Sequence, residues 1–161
     1  MGRVGAVLCV VCLLAPTASA EDELQHVRGT NGYARWLIDT AIAYSVTVSA
    51  LANTLSKTDV VAYVRIAPIG SGTARTVLLN TAGPVRYLLL TIDSAHQPEG
   101  LVEMLAHELQ HAVEIAAATN VRDEAGLISL YQRIGLHRGA KTNFETLLAQ
   151  EMGRRARFDL A

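Results

Sequence analysis

Between Leu101 and Ala118 the chain reads as one long amphipathic helix. No proline interrupts it, and at about 100° per residue Leu101, Leu105, Leu109, Ala112 and Ala116 fall on one side. Glu103, His107, His111 and Glu114 fall on the other. A fold containing this helix must bury the first side and leave the second facing something polar. That second side has a definite chemistry. Two imidazoles four residues apart stand one above the other on a helix, close enough to grip one metal ion. Glu108, between them, can reach a water beside that metal without being a ligand itself.

His107-Glu108-Leu109-Gln110-His111 is an H-E-x-x-H sequence, and on these residues the chain resembles the zincin metallopeptidases. It is similar as well to a group of small secreted bacterial proteins that carry His-Glu-Leu-Gln-His without an assigned substrate. The resemblance implies that His107 and His111 are zinc ligands and that Glu108 is the general base. A metzincin would have glycine at position 114 and histidine at position 117, where this chain has Glu114 and Ala117. The pattern is therefore gluzincin-like, which implies an acidic third ligand further along.

A catalytic zinc site needs three protein ligands and one open position. Glu145 is the first candidate for the third, because the long excursion through Gly135 and Gly139 leaves its segment free to return across the metal. Glu124 is the alternative, on a shorter link after His111. Both residue types have structural uses at these places. Thr142 and Glu145 have capping-box spacing, and Asp123-Glu124 would complement a helix N-terminus. Glu114 and Glu103 share the histidine side and are placed to accept an imidazole N–H, orienting a ligand. His137 and Tyr131 are candidates for stabilising a developing oxyanion. A histidine in a glycine-flanked loop is more often solvated, however, and Tyr131 has the helical spacing of a core residue.

Residues 1–20 read as a secretory signal. Arg3 is the positive start, Ala6 to Leu14 is continuously apolar, and Ala18-Ser19-Ala20 is a small-x-small cleavage site. The apolar run is too short for a permanent span, so no stable membrane anchor is expected after cleavage. Cys9 and Cys12, both of the chain's cysteines, fall inside this segment. A mature chain from Glu21 would therefore have no disulfide and no thiolate ligand. It would be a single domain over residues 21–161, secreted or periplasmic. Its formal charge would be −2, from −1 for the whole chain less Arg3. Beyond Arg154-Arg155-Arg157 it has no basic patch, so nucleic acid is not an expected partner.

Along the chain, Ala34 to Leu55 has helical periodicity through Trp36, Leu37, Ala41, Tyr44, Val48 and Leu51. Val60 to Ile66, Thr73 to Leu79 and Val85 to Ile92 read as strands separated by Gly/Pro-rich turns. Short links between them predict antiparallel neighbours. Further helices are expected over Asp123 to Ile134 and Glu145 to about Phe158. The expected class is α+β: an N-terminal helix, a small three-stranded, largely antiparallel sheet, the H-E-x-x-H helix and two more helices. The zincin resemblance implies an edge strand above the metal that pairs with extended substrate, and Val85 to Ile92 is one candidate.

The expected function is that of an exported Zn²⁺-dependent hydrolase acting on a peptide or protein substrate. The alternative is an exported metal-binding or scaffold module without turnover, consistent with the small size and the absence of an obvious specificity element.

Overall fold

The computed structural model describes residues 26–70, 73–136 and 144–161. The expected secretory segment with Cys9 and Cys12, and the residues His137 and Thr142, lie outside these. The described elements run in the order β1 (Val27–Gly29), α1 (Gly32–Tyr44), α2 (Val46–Leu55), β2 (Val60–Ala67), β3 (Ala74–Ala82), β4 (Val85–Asp93), α3 (Pro98–Ala117), α4 (Glu124–Ile134) and α5 (Leu147–Phe158). The chain is mixed α+β, with five described helices and a four-stranded sheet.

The single helix expected over Ala34 to Leu55 is broken at Ser45. Its backbone is extended there (φ −120°, ψ 114°), and its hydroxyl oxygen accepts from the Val48 amide as the N-cap of α2. The β-branched run Val46-Thr47-Val48 weakens helical continuation locally. Asp159, just after α5, fixes the break from a distance. Its Oδ2 accepts from the Ser45 hydroxyl (2.7 Å) and from the Thr47 amide (2.9 Å).

The sheet corrects the expectation of a three-stranded antiparallel arrangement. Its strand order is β1-β2-β4-β3; β1 and β4 both run parallel to β2, and only β3 is antiparallel to its neighbour β4. Despite the short link between them, β2 and β3 do not pair. The apolar strand β4 lies between them instead, with Leu88, Leu90 and Ile92 fully buried. The more buried strand takes the central place, and β3, which is more exposed, is left at the edge. Val85 to Ile92 is therefore not the edge strand; Ala74–Ala82 is. The β3–β4 turn uses Gly83 at φ +57°, a left-handed conformation that favours glycine.

Helix α3 lies at the centre of the molecule. Leu101, Leu105, Leu109, Ala112 and Ala116 are buried as their periodicity predicts, and Val102, Ala106 and Ile115 join them. Helix α5 closes on α3 at Gly153, where an added Cβ would stand 3.1 Å from the Glu103 carbonyl oxygen and 3.5 Å from the His107 Cβ. The far end of α3 is capped by Arg86, a fully buried cation on β4. Its guanidinium donates to the carbonyls of Ile115, Ala116 and Ala118 at 2.6, 2.9 and 2.8 Å. Asp59 supplies the balancing charge through a two-pronged pair at 3.0 and 2.6 Å.

Candidate metal centre

One turn of α3 brings the Nε2 atoms of His107 and His111 to 3.2 Å from each other. Glu145 arrives from the segment before α5, with Oε1 3.5 Å from His107 Nε2. Among the described residues these three form a group whose donor atoms all lie within 4.8 Å of one another. Zinc bonds of about 2.0–2.1 Å at tetrahedral angles require donors about 3.3–3.4 Å apart. The two closest separations match that edge length, and two imidazoles with a carboxylate are a donor set that zinc accepts. The residues present therefore fit such an ion.

Glu145 is held where it is by its neighbours on both sides. Its carbonyl accepts from the Leu136 amide, just beyond α4. Thr146, not Thr142, is the N-cap of α5: its hydroxyl oxygen accepts from the Ala149 amide and its proton goes to Glu114 Oε1 at 2.7 Å. Because α5 starts only at Leu147, Glu145 lies ahead of the helix, and its Oε1, which accepts from the Thr146 amide at 2.9 Å, faces His107. Glu124 is exposed at the first position of α4 and is not part of the group.

Glu114 takes the orienting role foreseen for it. His111 Nδ1–H donates to its Oε2 at 2.9 Å, which fixes the tautomer and leaves Nε2 as the lone-pair side. Glu103, on the same side of α3, instead accepts from Arg157 at 2.8 Å. The Tyr131 hydroxyl lies 3.1 Å from His111 Nδ1 and 3.3 Å from Glu114 Oε2, on the side of the imidazole away from the donor group. It is a buried residue supporting His111, not an oxyanion donor, and its ring stacks on Phe144.

The electrostatics follow from this packing. Burial lowers the His107 pKa, and the neighbouring His111 lowers it further against the opposing pull of Glu145, Glu114 and Glu103, so its neutral, lone-pair-bearing form is favoured. Burial works the same way on His111, but the hydrogen bond to Glu114 and the charges of Glu108, Glu114 and Glu145 outweigh it and raise the pKa. Glu108 is almost wholly buried, and burial raises its pKa despite the hydrogen bond that Thr76 donates to Oε2 at 2.5 Å. A carboxylate raised in this way is better matched to moving a proton near neutral pH.

His107, Glu108, His111 and Glu145 line one cavity of about 620 Å³. Its other wall is the start of β3, from Thr73 to Thr76, and Leu127, Phe144 and Met104 add apolar surface. Asp93 N donates to Thr73 O, so Thr73, Arg75 and Val77 are the residues of β3 that bond inward to β4. By alternation, Ala74 and Thr76 turn their N–H and C=O outward along the unpaired edge, directly beside the cavity.

Thr76 and Thr146 had no local signal in the sequence; each acts on a residue of α3 more than thirty positions away. Arg86 did have one, a lone charge in an apolar strand. No family model, curated protein or solved structure matches the chain.

Proposed function

We propose that this chain is an exported zinc-dependent hydrolase of peptide bonds, zincin-like in its helix and gluzincin-like in its acidic third ligand. The observation that carries the reading is the set of three donor atoms within 4.8 Å of one another, sharing a cavity with a buried carboxylate from the same helix turn. His107, His111 and Glu145 would hold the ion. When bound, zinc supplies Lewis acidity, polarising the peptide carbonyl and acidifying water. Glu108, held through Oε2 by Thr76, takes the water proton and returns it to the leaving amine. Glu114 keeps His111 in the ligating tautomer. The outward N–H and C=O groups of Ala74 and Thr76 offer main-chain bonds to an extended substrate. Export rests on Arg3, the apolar run Ala6 to Leu14 and the Ala18-Ser19-Ala20 site.

Elemental analysis of purified protein should find about one zinc per chain. Glu108→Gln should keep the metal and lose at least a hundredfold in peptide cleavage, on the order of a removed general base. Retained cleavage would take Glu108 out of the role, and unchanged zinc content in His111→Ala would refute the site. Full zinc loading with no cleavage of a broad peptide library would favour the non-catalytic metal-binding module instead.

A further inference from the structure

The two faces of the sheet differ. One is buried against the helices through Val60, Ala62, Val64, Leu88, Leu90 and Ile92, each fully buried. The other has no described helix over its centre. Thr76 turns to Glu108 on the helix side, so strand alternation sends Arg75 and Val77 to the open side. Register then orders that side into rows. Arg65, Thr91 and Arg75 lie abreast on β2, β4 and β3, and Tyr63, Leu89 and Val77 form the next row. Arg65 donates to Thr91 Oγ1 at 3.1 Å. The Arg75 side chain is exposed and has no hydrogen bond or ion pair among the described residues. Asp93, the acid at the end of β4, accepts from the Ala95 amide.

Arg75 belongs to the cleft as well as to the open face, since it lines the same cavity as His107. Arg154 and Glu103 also line it, and Glu103 is already engaged by Arg157. A strand added along the β3 edge would continue both rows. Its residue beside Thr76 would face the metal group. The residues on either side of that one would stand on the open face, beside Arg75 and Val77. Directly opposed side chains across a strand pair interact, and opposite charges are favoured there.

We infer that the substrate of this site is an extended peptide carrying an acidic side chain beside Arg75 and an apolar one two residues along, beside Val77. The inference rests on the hydrolase reading for the identity of the occupant, but its charge selectivity comes from Arg75. Specificity is thus read on the face of the sheet opposite the chemistry, by a strand position that alternates with the cleaved segment.

The test uses peptides with Asp, Asn or Lys placed two residues from a fixed leucine, in both orders, at successive distances from the cleaved bond. Cleavage by the wild-type chain is compared with binding to Glu108→Gln, read by fluorescence anisotropy. Asp should be preferred over Lys by about tenfold where the residue meets Arg75, and the preference should shrink as salt rises. Arg75→Glu should invert the Asp-to-Lys ratio. Cleavage indifferent to the sign of charge, or a ratio unmoved in Arg75→Glu, overturns the inference and leaves the hydrolase standing. Selective binding of the Asp peptide with no cleavage by wild type upholds it and removes the hydrolase. A stable dimer that closes the β3 edge to peptide, or no binding by any peptide, overturns it.

Discussion

Replacing Arg86 by methionine should be among the most damaging single changes outside the metal group, although Arg86 touches neither His107 nor His111. Methionine keeps most of the length and apolar volume, so the experiment isolates the lost charge and its hydrogen bonds. Asp59 would lose both arms of its ion pair, and the carbonyls of Ile115, Ala116 and Ala118 would lose their donor at the buried end of α3. Breaking a buried pair costs about 3–5 kcal/mol, and each carbonyl left without a partner adds to the same penalty. Asp59 limits the total, because it is partly exposed and water can replace some of what it loses. The expected loss is about 3–4 kcal/mol, a large part of the roughly 5–15 kcal/mol that holds a domain together. Urea unfolding reads it as a lowered midpoint at unchanged slope. Arg86→Lys should recover little, since one ammonium cannot fork onto Asp59 and reach three carbonyls as well. A loss below about 1 kcal/mol in Arg86→Met would show that the α3 terminus does not depend on this residue, and the reasoning would fail.

Glu145→Ala should abolish zinc binding while Glu124→Ala leaves it unchanged, both read by elemental analysis; loss of zinc in the Glu124 variant would restore it as a ligand. Gly153→Val should lower stability by about 1–3 kcal/mol through overpacking and weaken zinc binding, because the new side chain meets α3 at Glu103 and His107; unaltered melting and zinc affinity would contradict the close approach. Burial acts to raise the Asp159 pKa, but the hydrogen bonds from Thr47 and Ser45 prevail and hold it below its ordinary 3.8. Its contribution is therefore present above about pH 4 and lost as pH falls through the lower folded value. Asp159→Asn should destabilise at pH 6 and converge with wild type in acid; a gap that stays constant across that range would exclude the linkage.

The parts of the fold that could be read from the sequence are those with a local period. Helix α3, its buried residues and its histidine pair all follow from spacing within one element. Strand existence could be read too, but strand order could not. Link length pointed to β2 beside β3, whereas burial decided the matter: β4, largely apolar and with Leu88, Leu90 and Ile92 fully buried, lies at the centre. That signal was present in the sequence and outweighs loop length. Three-residue β1 is too short to show any alternation. The break at Ser45 depends on Asp159, more than a hundred positions away, so periodicity alone joined α1 to α2.

Glu145, the proposed third ligand, shows the same division between local and distant causes. Thr142 and Thr146 are four residues apart, and the capping-box spacing of Thr142 to Glu145 would have placed the glutamate inside a helix. With Thr146 as the cap, Glu145 stays outside, and the threonine that starts α5 also donates to Glu114, which in turn holds His111 Nδ1. One hydroxyl thus connects where α5 begins, where Glu145 points and which nitrogen His111 offers. The histidine pair is encoded within five residues of α3. The group of His107, His111 and Glu145 forms where the chain brings Thr146 and Tyr131 to Glu114, and a link of that kind appears when the chain folds on itself, not in the spacing of its residues.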